Sequence, residues 1–224
     1  METSGISDVR LLNETFAGGR RTATGKHHQW NEVFARVQPA EEGRINRFRV
    51  AKPEYPSVTP DQDLSEADPA KLARAIADLG YPRFAYLRGG SAKNPAEVLL
   101  ASLSSDDLEV RILEALPWLV AQYHDLDWDW LLLRARQRSI SNRLGFVVTL
   151  ASRIAEANND RAASRKLQSV LSKLKQSRTT DEDTLCQTSL VKAEREWLRG
   201  VRSQDAQFWR LLTDIDLEPS LYES

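Results

Sequence analysis

The sequence is nearly free of sulfur, with one cysteine, Cys186, and one methionine in 224 residues. A lone cysteine excludes a disulfide-stapled fold and points to the bacterial or cytosolic interior. Long apolar runs are missing too. The uncharged stretch 115–122 falls far short of the roughly 20 residues needed to span a bilayer. The first thirty residues hold no signal-peptide apolar core. Membrane insertion and secretion are therefore not expected, and a cytoplasmic location is. No P-loop, dinucleotide fingerprint, hydrolase elbow or zinc pattern occurs. No catalytic residue, cofactor or metal is thereby implied.

What is present is helix signal. Residues 1–67 read as a flexible basic arm followed by a Pro-rich acidic linker, in which Pro53, Pro56 and Pro60 deny the backbone a donor and disfavour helix before them. Within the arm only Trp30, Val33, Phe34 and Val37 keep a helical spacing. From Asp68 to the end, residues 68–224, apolar residues recur at three- and four-residue steps. Asp68 serves as N-cap to a helix carrying Leu72, Ile76 and Leu79, and Asn94 caps the next, with Pro69 and Pro95 at their first positions. The stretch between them, 82–90, reads as a short strand or a buried loop. Ser104 or Ser105 starts a helix through Leu108, Ile112, Leu116, Leu119 and Tyr123, which Pro117 should kink or split. Asp125 or Asp127 caps a helix with Trp128, Leu131, Leu132 and Ala135 on one face.

Ser141 or Asn142 opens a helix with Leu144, Val147, Val148, Ala151, Ile154 and Ala155 on one side, stopped by Asn158 and Asn159. Leu167, Val170, Leu171 and Leu174 mark another. Leu185, Leu190, Ala193, Trp197, Val201, Phe208, Leu211 and Leu212 mark one or two more before Pro219. Consecutive helices with almost no strand signal predict an all-α fold, a multi-helix bundle or helical-hairpin array with a loose N-terminal arm.

The net charge of −1 hides strong blocks. Residues 1–52 hold nine basic against six acidic side chains, 53–131 six against fourteen, 132–178 eleven against two, and 179–224 five against ten. In the basic block Arg134, Arg138, Arg161, Arg165, Lys166, Lys173 and Lys175 lie mostly off the apolar stripes, where they form a candidate nucleic-acid face. The plainer alternative is a solvated face, or one lying beside the acidic helices.

Four further constellations bear on chemistry. Gly89, Gly90 and Ser91 followed by Asp107 and Glu109 resemble the phosphate turn and metal-holding carboxylates of nucleotidyltransferases. That chemistry needs Asp107 and Glu109 on a strand, whereas they open a helical pattern. Asp125, Asp127 and Asp129 alternate as in a calcium loop, but Trp130 and Arg136 stand where glycine and glutamate are required. His27, His28 and His124 have no second ligand at metal spacing. Residues 128–157 have the lengths of a helix-turn-helix, yet only Asn142, Arg143 and Arg153 would offer donors to a major groove.

The words Asn94-Pro95-Ala96-Glu97-Val98-Leu99-Leu100, Glu114-Ala115-Leu116-Pro117-Trp118-Leu119, Asp125-Leu126-Asp127-Trp128 and Asn142-Arg143-Leu144-Gly145-Phe146 carry a resemblance. Over about 68–157 the chain resembles the all-helical C-terminal part of bacterial helix-turn-helix regulators of the toxin-antitoxin kind. The resemblance implies a protein-binding helical module, an antitoxin or a regulatory or adaptor subunit of a bacterial complex, with a toxin or complex subunit as protein partner. It transfers no functional residue, and the N-terminus lacks a DNA-reading unit. On the residues alone, Trp30, Phe34, Phe208, Trp209 and Tyr222 are the candidate partner anchors, since sparse aromatics flanking an ordered core commonly dock on partners.

Overall fold

In a computed structural model, which describes residues 55–57 and 68–216, helices open at the expected caps Asp68, Asn94 and Asp127. Trp30, Phe34, Tyr222, His27, His28 and the arm 1–52 lie outside the described residues. Helix α1 (Pro69–Asp78) is capped by Asp68, whose Oδ1 accepts from the Ala70 amide at 3.0 Å. Asn94 does the same for Ala96 at 2.9 Å and opens α2 (Pro95–Ser104). After α3 (Val110–Gln122), Asp127 caps α4 (Trp128–Gln137). Then come α5 (Ser141–Ala157) and α6 (Arg161–Gln176), the latter capped by Asp160.

Three of these helices close in one way. After α1, α4 and α5 the chain turns through a residue of positive φ, respectively Gly80, Ser139 and Asn159. The next amide, of Tyr81, Ile140 or Asp160, then donates back to Ile76, Ala135 or Ala155. This six-to-one bond satisfies carbonyls that a helix end otherwise leaves without donors.

Helix α5 is the axis of the core. Thirteen of its seventeen residues are buried, as expected for a helix apolar on nearly every side. It packs against α6 and α3 most extensively and against α4 as well. The described residues are all-α apart from a two-stranded parallel sheet, β1 (Asp183–Thr184) with β2 (Leu211–Leu212), in the register Asp183 to Leu211 and Thr184 to Leu212. Between these strands run α7 (Lys192–Val201) and the short α8 (Gln204–Phe208).

Four expectations are corrected. The stretch 82–90 is neither strand nor loop throughout, because Pro82–Leu87 forms a 3-10 helix. Tyr81, just before it, and Phe84 within it are both buried, three residues apart as the period of that helix requires. Their rings meet edge to face at 5.2 Å. Helix α3 starts at Val110 rather than at Ser104 or Ser105. Those serines instead end α2, bonding back to Leu100 and Ala101, while Leu108 donates to Cys186 and Asp107 bridges Gln187. Pro117 does not split α3. Burial of Ile112, Leu113, Leu116, Leu119 and Val120 to 1% exposure or less offsets the cost of an interior proline, about 3 kcal/mol. Finally, Leu185, Leu211 and Leu212 belong to the small sheet and its turn, not to a helix.

A piece of the segment read as linker is seated on the helices. Asn94 Nδ2 donates to the Pro56 carbonyl at 3.0 Å, and the Tyr55 ring meets Tyr123 edge to face at 5.8 Å. Tyr123 is itself buried, its hydroxyl donating to the Leu79 carbonyl at 2.6 Å. Burial, and secondarily Tyr55 nearby, push its phenol up to about 12.

Candidate functional site

The catalytic constellation is not assembled. The amides of Gly89 and Gly90 both donate to Asp78 Oδ1 at 3.0 Å, so the glycine turn is occupied by a carboxylate of the same chain. Asp107 accepts from the Ser189 hydroxyl at 2.8 Å and its amide at 3.1 Å. These bonds hold its carboxyl below the ordinary value. Glu109 sits at the start of α3. Among the described residues no group of three His, Cys, Asp or Glu side chains could hold a metal ion, and no helix is long and apolar enough to cross a membrane. The three donors sought in α5 are all engaged. Asn142 exchanges bonds with the Thr179 backbone, Arg153 pairs with Asp205, and Arg143 is buried.

Arg143 is the charged centre of the interior. Its Nε lies 2.7 Å from Asp183 Oδ2 and its Nη2 3.0 Å from Oδ1, a two-pronged pair. Nη1 reaches the Leu103 and Ser105 carbonyls and the Cys186 sulfur. Burial works to lower the guanidinium's pKa, but the bonds to Asp183 and the neighbouring Cys186 and Asp183 raise it. One side chain thus ties α5, the end of α2 and the strand β1 together.

Cys186, buried at 0% exposure, is enclosed beside Arg143 with its sulfur 3.4 Å from the Ser102 carbonyl. Burial pushes its thiol up to about 11 despite Arg143. Cys186 should therefore stay unmodified by a thiol reagent at pH 8 in the native protein and react only as fast as the chain unfolds. Reaction at the rate of a free thiol would contradict this.

A pH dependence follows from the two raised groups. Cys186 and Tyr123 are neutral when protonated, so the stability they contribute is complete below their ordinary values, 9.0 and 10.0. It is lost as pH rises through about 11 and about 12, because the unfolded chain ionises first. Thermal melts should be level from pH 7 to 9 and then fall, and Cys186→Ala should delay the onset.

The seven basic candidates do not share one face. Arg134 and Arg138 stand at the end of α4, where Arg134 bonds Gln137 and Arg138 bonds Ser104. Lys166 and Lys173, seven residues apart, flank a surface depression of about 230 Å3 with Asp127, Trp128, Asp129 and Ser169. Lys173 pairs there with Asp129 at 3.3 Å, so the depression is charge-balanced. Arg161 and Arg165 lie on the outer side of α6, and Lys175 reaches toward the Phe208 ring at 5.9 Å.

Of the expected aromatic anchors, Trp209 is corrected. It is fully buried, packed on the backbone of Gly145, with its indole N–H donating to Thr149 Oγ1 at 2.8 Å. Phe208 remains 42% exposed. Trp197, which marks an apolar helical pattern in the sequence, stands on the surface. It is 58% exposed, and Val201 is 48% exposed.

The reason lies in how α7 is held. Only Leu198 of this helix is buried. Arg195 bonds the Leu190 and Thr188 carbonyls, while Glu182 receives Arg199 at 2.6 Å and Arg202 at 3.3 Å. The Arg199 bond, followed by the other guanidinium charges, holds the Glu182 carboxyl below its ordinary value. At the helix start the Glu194 carboxylate accepts from the Val191 amide, half of a capping box, since valine has no side-chain oxygen to complete it. These contacts anchor α7 by one edge. Ala193, Trp197 and Val201, at four-residue steps, form a stripe that points to solvent.

No family model, curated protein or solved structure matches the chain.

Proposed function

We propose that the protein is a helical interaction module that offers α7 to a protein partner. The reading rests on the outward stripe of α7. An amphipathic helix whose apolar stripe, led by Trp197 and Val201, faces solvent has the form of a helix that lies in a groove of another protein. Tryptophan is the residue type that most often dominates such contacts. The partner's groove would be apolar, with mixed charges at its rim to meet Lys192, Glu194 and Glu196. Within this class the resemblance over 68–157 favours a regulatory subunit of a bacterial complex, an antitoxin acting on its toxin being the specific form.

A photo-crosslinking residue at position 201 in the full chain, expressed in cells, tests the proposal. The expected result is one dominant adduct that disappears in the Trp197→Glu background, while the melting temperature moves little because Trp197 is exposed. An adduct indifferent to Trp197→Glu, or none, overturns it. Trp197→Glu should weaken binding to the captured partner by about 2 kcal/mol or more, as for an anchor residue.

A further inference from the structure

Helix α6 carries a second surface, unconnected with α7. Arg161, Arg165, Ser172 and Lys175 follow each other at helical spacing along one exposed side and extend over about 21 Å at 1.5 Å per residue. No carboxylate stands among residues 161–180. The nearest on the α5 side, Glu156, is engaged by Gln168 at 3.1 Å, and Asp160 is spent on the helix cap. Lys166 and Lys173 lie toward the opposite, charge-balanced flank and are not part of the row.

The row ends on an aromatic. The guanidinium of Arg178 lies 4.5 Å from the centre of the Phe208 ring, and its Nη1 holds the Phe208 carbonyl at 2.6 Å. The Trp209 ring, fixed in the core, meets Phe208 edge-on at 5.1 Å. Phe208 is therefore held in place while 42% exposed, with the Lys175 ammonium 5.9 Å and the Arg178 guanidinium 4.5 Å from its ring centre. A polyanion alone would need the cations and not the ring. A row of cations with no carboxylate partner among the described residues, leading to a stacked Arg-Phe platform, matches a single strand whose phosphates run along the row and one of whose bases adds to the stack.

We propose that the α6 row and the Arg178-Phe208 platform bind single-stranded nucleic acid, without base-specific reading. The full-length protein is titrated into fluorescein-labelled twelve-nucleotide oligo-rU, oligo-dT and a twelve-base-pair duplex from 50 to 200 mM KCl, with binding read by anisotropy. Both single strands should bind, and binding should weaken steeply with salt. Arg165→Gln with Lys175→Gln should reduce affinity at least tenfold and shrink the salt slope by about 1.4, for two phosphate contacts on a single strand. Phe208→Leu, which keeps apolar bulk but removes the stacking face, should reduce affinity at least fivefold with the salt slope unchanged. The ratio of oligo-rU to oligo-dT affinity identifies the strand chemistry preferred. All three side chains are exposed, so the fold is retained. The proposal is overturned if no single strand binds at 50 mM KCl, if the duplex binds as tightly and is indifferent to Phe208→Leu, or if polyglutamate competes as well as the oligonucleotide.

Discussion

Gly145→Ala is expected to lower the unfolding free energy by about 3 kcal/mol, the upper end of what overpacking a core costs. A β-carbon at position 145 would lie 2.5 Å from Cη2 and 2.6 Å from Cε3 of the Trp209 ring, well inside van der Waals contact. Neither side has room to yield. Gly145 lies in the most buried helix of the protein, and Trp209 is pinned by its bond to Thr149, whose hydroxyl in turn donates to the Gly145 carbonyl at 2.8 Å. The indole must leave its seat, taking with it the start of β2 two residues on. Helix propensity predicts the reverse sign, a gain of up to about 1 kcal/mol for alanine over glycine. The measured sign in a urea titration therefore decides between the two effects. In a Trp209→Ala background, itself expected to cost about 3–5 kcal/mol, the penalty of Gly145→Ala should vanish or invert, and the double-mutant cycle isolates that coupling. If Gly145→Ala were neutral in the wild-type background, the indole would not be seated on this helix.

Arg143→Ala should cost about 3–5 kcal/mol, the range for breaking a buried ion pair from one side. It leaves the Ser105 carbonyl without its donor, the Leu103 carbonyl with only the weak Cys186 thiol, and the Asp183 carboxylate without its cation. Arg143→Lys should not rescue it, because an ammonium cannot make the two-pronged contact. Asp183→Asn should cost less, since Asp183 is partly exposed and its amide form still accepts from Arg143. Equal losses for Arg143→Ala and Asp183→Asn in a denaturant titration would contradict the picture of one guanidinium serving three segments.

Much of this fold was legible in the residues because helix ends and helix faces are local. Asp68, Asn94 and Asp127 are caps by side-chain chemistry, and the unbroken apolar surface of 144–151 marks a helix with no side left for solvent. The function was less legible. Arg143 has the look of a surface donor at a helix start, and nothing within its own helix reveals that Asp183, forty residues on, completes its pair. The same holds for the tryptophans. Trp197 and Trp209 both sit in apolar patterns near the end of the chain, yet Trp209, expected as an exposed anchor, is fully buried while Trp197 is 58% exposed.

The sequence by itself determined the helical class, the caps Asp68, Asn94 and Asp127 and the separation of charge into blocks, since each follows from spacing or side-chain type within a turn or two. Tertiary structure alone decided the rest. Residues 105–109 gave up helix to pair with 186–189, the short strands 183–184 and 211–212 found each other across two helices, and Trp209 took the one seat that a missing β-carbon at Gly145 opened. With that seat filled and α7 held along a single edge, Trp197 was left facing solvent. These outcomes depend on partners far apart in the chain, whose pairing no local period encodes.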